Sequence, residues 1–450
     1  MLEGAYTALD TAEVKRIHYK ITALSAVGVF LDGFDISIIG VALTLMINEP
    51  AFAYANSPLG KGLMAASTTI GMLVGAVVFG YVTDKRGRRF MYMWDMIVFV
   101  IFTAAISVAF NYWSLFIFRV ILGLAIGADY SISTTIISEF SPKQSRGKLL
   151  AVNVSAWWVG SAVAFVIGYA LLPLGLDAWR WMFAIGIIPA MIVLVLRRSV
   201  PESPRWLANV GRSDMAELVV KEVTGKMQEL KVEAKKASLS TLFNKKYLRA
   251  TLFVAVFGFS YDVAFYGIGL FTPTILTIFG LDHSEALLGS AIFATIAVLG
   301  SLLCIATVDK WGRKTVTILG FAGMTLSLLV LTIVAINIPR SAFAVGRYAI
   351  TIVCMYALFQ LTQTWGPGGT DFIFPQELFP TSIRATGQGW GTSVSRIGAI
   401  LGLIGFPQLL AFAGLGYGLV LFLVFSVVGL LATVFLGVET KGRALEEITD

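Results

Sequence analysis

The chain has 450 residues, 57% of them hydrophobic and 14% charged, with a formal net charge of +7 and a mean hydropathy of +0.81. Soluble domains carry about a quarter charged residues, so this composition excludes a water-soluble enzyme. The excess of positive charge would also suit nucleic acid, but its distribution along the chain argues against such a partner.

Apolar runs of about 20 residues, long enough to cross about 30 Å of hydrocarbon as helix, recur along almost the whole chain. They predict an all-α membrane protein of about twelve spans. In the first half these cover residues 21–47, 59–83, 90–109, 113–138, 147–172 and 179–197. In the second half they cover 249–279, 285–308, 315–336, 342–371, 383–409 and 415–437. Glu3, Asp10, Lys15 and Arg16 precede the first span without a small-residue cleavage site near it, so no removable signal peptide is expected. Cys304 and Cys354 fall inside spans and read as buried thiols rather than a disulfide framework.

Alternate connections, starting from the amino terminus, hold 28 of the lysines and arginines, while the others hold only Lys61, Arg180, Arg340 and Arg347. This is the positive-inside pattern, and it places both termini and the long central loop in the cytoplasm. Residues 198–248, with Lys221, Lys226, Lys231, Lys235 and Lys236 among short apolar patches, read as a cytoplasmic linker carrying amphipathic helices. The expected organisation is a six-helix bundle over 1–197, the linker over 198–248 and a second six-helix bundle over 249–450.

The two halves repeat. Asp84, Gly87 and Arg88 follow the second span as Asp309, Gly312 and Arg313 follow the eighth. Glu139 and Arg146 follow the fourth span as Glu377 and Arg384 follow the tenth, and Pro201-Glu202-Ser203 answers Val438-Glu439-Thr440. The aspartate of each basic turn can meet the positive end of a neighbouring helix, and the glutamate–arginine repeats can pair across the two halves. These residues are therefore candidates for conformational latching. Together with Arg119-Val-Ile-Leu-Gly123 and Pro201-Glu-Ser-Pro204-Arg205-Trp206, the repeated turns resemble the signatures of the major facilitator superfamily over essentially the whole chain. The resemblance implies two pseudo-symmetric bundles around a central cavity and a secondary transporter working by alternating access.

Charges inside the spans are costly and so mark function or pairing. The first span has Asp32 and Asp35, the fourth Arg119 and Asp129, the seventh Asp262, the tenth Asp371 and the eleventh Arg396. Asp32 and Asp35 share a helix face, cannot both ionise cheaply, and have Arg119 as the expected counter-charge, a candidate proton-coupling set. Asp262 and Tyr266, four apart, present a carboxyl and a phenol together. With Asp129, Tyr130 and the aromatic walls Trp157 and Trp365, they are candidate solute contacts. Gly366-Pro367-Gly368-Gly369 should break the tenth span, which is tolerable beside a cavity and reads as a hinge. His18 and His283 belong to no ligand cluster, and no nucleophile, base and orienter set can be assembled. Neither metal, cofactor nor enzymatic activity is expected.

Three branches of the superfamily are resembled. Asp129-Tyr130, Asp262 to Tyr266 and Gly366-Pro367 resemble the proton-coupled phosphate symporters. That resemblance implies substrate contacts at Tyr130, Asp262 and Tyr266, with proton coupling at Asp32, Asp35 and Arg119. Departures stand at Trp157 or its neighbour in place of a glutamine, at Gly258 in place of a tryptophan and at Gly368 in place of an asparagine. Pro201 to Trp206 and Glu439 to Glu447 resemble the sugar porters, without their paired glutamines in the seventh span. Leu31 to Asp35 resembles the aromatic-acid symporters. The expected protein is a monomeric multi-pass transporter of the plasma membrane, carrying a small solute (an oxyanion, sugar or polyol, with organic acids or a sensor role as the alternatives) together with protons.

Overall fold

A backbone in hydrocarbon must satisfy its own N–H and C=O groups, and an α-helix does so within one segment. The computed structural model describes residues 6–228, 239–338, 346–380 and 382–443. Glu3, Lys231, Lys235, Lys236, Arg340 and Glu447, and the side chains of His283 and Arg347, lie outside the described residues. The first six long helices are α1 (Arg16–Met46), α2 (Pro58–Arg86), α3 (Arg88–Ser107), α4 (Tyr112–Phe140), α5 (Arg146–Leu171) and α6 (Ala178–Arg197). The second six are α7 (Leu248–Gly269), α8 (His283–Trp311), α9 (Arg313–Asn337), α10 (Gly346–Trp365), α11 (Arg384–Ala413) and α12 (Leu415–Leu436).

Among the described residues, eleven helices are long and apolar enough to cross a membrane, all but α10. That helix buries Gln360, Thr362, Gln363 and Thr364 in its last turns. It ends where the glycines require: Gly366 has φ −91° and ψ −101°, and helix resumes only over Pro367–Thr370 and Ile373–Leu378. α7 is likewise shorter than its apolar run, stopping at Gly269 before a separate turn over Thr272–Ile278 that starts with Pro273.

Two seams join the halves: α2 packs along α11, and α5 along α8. The α2–α11 seam is a contact of backbones. A Cβ on Gly80 would stand 2.7 Å from the Ala385 carbonyl oxygen, and one on Gly389 would collide with the Ala76 carbonyl. The linker lies against the bundle at the end where both described chain ends gather, the basic end. Its helix Ser213–Thr224 buries Ala216, Val220 and Val223 on one face, in a cluster with Tyr6, Leu9, Trp206 and Leu207.

Candidate functional site

The basic end is built from the two repeated turns. Gly87 and Gly312 have φ of 102° and 90° with ψ near extended, a region open essentially to glycine alone. This leaves the first N–H groups of the next helix pointing at a carboxylate. Arg88 and Arg89 N–H donate to Glu202 at 2.9 and 3.2 Å. Arg313 and Lys314 N–H donate to Glu439 at 2.9 and 3.1 Å. Each arginine then forks onto the glutamate of its own half: Arg88 onto Glu139 at 3.1 and 2.9 Å, Arg313 onto Glu377 at 3.0 and 2.8 Å.

Each aspartate crosses to the other half and caps a helix. Asp84 Oδ2 accepts from the Thr386 N–H and hydroxyl at the start of α11, at 2.7 and 2.6 Å. Asp309 Oδ2 accepts from the Lys148 N–H at the start of α5, at 2.9 Å. Among the described residues, the glutamate–arginine pairing across the halves is found on one side only. Arg384 donates to Glu139 at 3.2 Å, whereas Arg146 is drawn to Asp10 at 3.0 Å and Glu377 is occupied by Arg313. Asp10 also takes Arg205 at 2.8 Å, which pins the short helix Thr7–Asp10 to this end of the molecule.

Beyond this closed face the helices of both halves surround two voids. The inner one is lined by Tyr130, Asn153, Trp157 and Trp158 from the first half and by Asp262, Tyr266, Asp371 and Arg396 from the second. The outer one is lined by Ser37, Ser161, Thr272, Ser290 and Gln360. Trp157 and Trp158 border both voids and pack edge-on to Phe265, with ring centroids 5.1 and 4.9 Å away, so an aromatic cluster divides the space.

In the inner void Arg396 donates to Asp262 Oδ2 at 2.7 Å, and its guanidinium lies 5.3 Å from the Tyr130 ring and 5.0 Å from the Tyr266 ring. Tyr130 stacks on Phe372 at 4.9 Å. The Asn153 side chain is fully buried, and neither its oxygen nor its nitrogen has a hydrogen-bond partner; Trp158 Nε1 and Arg396 Nε are likewise without one. A buried amide without a protein partner is costly unless something polar meets it.

The structure therefore brings Tyr130, Trp157, Asp262 and Tyr266 together, and it corrects two expected solute contacts. Asp129 turns away from the void to Arg197 at 2.8 Å, since a neighbouring carboxyl needs a cation more than it needs the cavity. Trp365 packs on Trp311, with centroids 5.7 Å apart, and donates to Thr307. Arg119 meets Asp35 at a long 3.5 Å and donates Nε to Ser67 at 3.0 Å; Asp32 Oδ2 is buried without a partner. Sequence reasoning missed Asn153 as a cavity group; Trp158, like Trp157, reads from the sequence either as packing or as an aromatic wall, and it lines the void. The readable signal was the face Asn153, Trp157, Ser161, which recurs every four residues.

Comparison with known proteins decides the family. Residues 21–450 match the family described as "Sugar (and other) transporter". The chain belongs to this family of transporters. Its sugar-transporter-family relatives include the "Putative metabolite transport protein YaaU" of Escherichia coli (strain K12), 32% identical over 446 residues and covering 98% of this chain and 96% of that protein. The "Glucose transporter GlcP" of Staphylococcus epidermidis is 32% identical over 454 residues, with 97% of each chain covered. Among solved structures, the major facilitator superfamily proton:xylose symporter XylE of E. coli, bound to 6-bromo-6-deoxy-D-glucose, aligns with a TM-score of 0.79 at 24% identity. That alignment covers 96% of this chain and 98% of that one. The fold is that of the superfamily, two pseudo-symmetric six-helix bundles.

Proposed function

We propose that this protein is a proton-coupled symporter of a small polar solute, working by alternating access in the plasma membrane as a monomer, with both termini and the basic end in the cytoplasm. The observation that carries the reading is the inner void shared by both halves, where a buried amide at Asn153 and an indole N–H at Trp158 lack partners beside the Asp262–Arg396 pair. Because that pair neutralises itself, the site favours a neutral, hydroxyl-rich solute such as a sugar or polyol over a phosphate, whose charges would face Asp262 and Asp371. The similarity to a glucose transporter and a proton:xylose symporter supports this choice.

A second reading, an organic acid, is favoured by the unpartnered Nε of Arg396 beside the aromatic walls. Proton coupling is assigned to Asp35 and Arg119, whose 3.5 Å separation is loose enough to be exchanged for a proton, with Asp32 beside them. Asp84, Arg88, Asp309, Arg313, Glu139, Arg146, Glu377 and Arg384 latch the closed end, and Gly366-Pro367 serves as hinge. The halves over 1–197 and 249–450 move as bundles joined by the linker over 198–248.

The test is uptake into proteoliposomes under an imposed pH gradient, comparing glucose and xylose with inorganic phosphate and benzoate. Sugar uptake that collapses with the gradient and in Asp262→Asn is expected. Gradient-driven uptake unchanged in Asp262→Asn overturns the assignment of the site.

A further inference from the structure

The outer void differs from the inner one in its chemistry. Asp262, Asp371 and Arg396 line the inner void, whereas among the described residues no charged side chain lines the outer one. Its polar groups are hydroxyls and one amide: Ser37 and Ser161 from the first half, Thr272, Ser290 and Gln360 from the second, all buried. It spans about 480 Å³ against about 420 Å³ for the inner void, and small-molecule sites run from roughly 300 to 1,000 Å³.

Two donors on α5 are left over at its wall. Ser37 donates to Ser161 at 2.7 Å, which leaves the Ser161 O–H to find another acceptor. Three residues back on the same face, Trp158 borders both voids and its Nε1 is buried without a partner. On the second half, Gln360 is held in place. Its Oε1 accepts from Gln363 Nε2 at 3.0 Å, and Gln363 Oε1 accepts from the Tyr261 hydroxyl at 2.8 Å. Tyr261 lines the inner void and Gln363 lines neither, so this chain runs past the aromatic divider and sets the orientation of the Gln360 amide.

An ion entering the outer void would give up its water and meet no counter-charge. A neutral ring bearing several hydroxyls fits better, because its oxygens can accept from the leftover donors while its C–H faces pack on Trp157, Trp158 and Phe265. We propose that the outer void is a second binding site for a neutral polyhydroxy solute, on the far side of the aromatic divider from the closed end, with Ser161 and Gln360 as its polar anchors. Gln363 is a positioning residue that acts through Gln360. The inference rests on the solute class proposed for the inner void and adds a place where that solute is held before the aromatic cluster parts.

Equilibrium dialysis of radiolabelled glucose, and of xylose, against the whole purified protein in lipid nanodiscs counts the sites. Two equivalents per chain at saturation are expected. One should be lost in Ser161→Leu, which fills the outer void alone, and the other in Asp262→Asn, which alters the inner void alone. Gln360→Leu should keep the inner equivalent unchanged and weaken the outer one about tenfold, and Gln363→Met should weaken that same one although it touches neither void. Inorganic phosphate should not displace the glucose that Asp262→Asn retains. The wild-type count needs no variant, and Gln360→Leu adds no bulk, so the test survives a Ser161→Leu chain that does not fold. A single equivalent in wild type, a second equivalent indifferent to Ser161→Leu and Gln360→Leu, or retained glucose that phosphate displaces overturns the outer site. Wild type that binds neither sugar overturns the solute class proposed for the inner void, and the outer site with it.

Discussion

The latch around Asp84 and the latch around Asp309 are written in nearly the same residues and built to different strengths. The Asp84 side chain is 0% exposed and takes two donors from Thr386, while Glu139 beside it joins Arg88 of its own half to Arg384 of the other. The Asp309 side chain is 24% exposed and takes one backbone N–H across the seam; Glu377 is satisfied within its own half. The N-terminal segment explains part of the asymmetry, because Asp10 claims the arginine that symmetry would offer to Glu377. A repeat in sequence thus yields one latch that fastens the halves together and one that mainly fixes a turn.

That comparison can be broken most directly at the glutamates. Glu139→Ala removes the carboxylate that two buried guanidiniums share and is expected to cost about 3 to 5 kcal/mol, with a larger drop in melting temperature of the purified protein than Glu377→Ala gives. Equal drops would mean that the crossing bond to Arg384 contributes nothing. Gly87→Ala and Gly312→Ala should each cost about 1 to 3 kcal/mol and should cost the same, because the backbone demand is shared even where the latches differ; clearly unequal losses in the same thermal assay would count against this.

At the aspartates, Asp84→Asn should raise about tenfold the rate at which a cysteine at Ser138, in a background lacking Cys304 and Cys354, reacts with an impermeant thiol reagent. This corresponds to about 1.4 kcal/mol of lost latch. Asp309→Asn should raise it no more than about twofold, and the reverse ranking would invert the argument. Asp10→Asn is expected to cost about 1 kcal/mol in thermal stability, since the amide oxygen can still accept from the arginines and these keep other contacts.

The helices were legible because hydrocarbon leaves a chain few choices: the run over 147–172 became α5 at Arg146–Leu171, and the run over 415–437 became α12 at Leu415–Leu436. The repeated turns were legible because their residues recur at matched places. The lining of the inner void was only partly so. Asp262 and Tyr266 announce themselves as polar groups a turn apart, but Asp129 looked equally eligible, and only the end of α6 reveals its partner. Arg197 sits where a span meets the basic linker and reads in sequence as one more interfacial anchor. Its burial depends on Gly28 leaving a gap on another helix, and no local pattern encodes that. Asp95, an acid inside the third span that was not singled out from the sequence, was a sign that a cation had to lie nearby.

The seam between α2 and α11 has a mechanical consequence. Where Gly80 and Gly389 set main chain against main chain, these two positions have no side chain to withdraw before the surfaces separate. Opening such a joint resembles parting two smooth plates rather than unscrewing a bolt. In the alternating-access cycle proposed above, the timing would then fall to the polar contacts that cross the seam, such as those of Asp84 with Thr386 and of Ser393 with the Leu73 carbonyl.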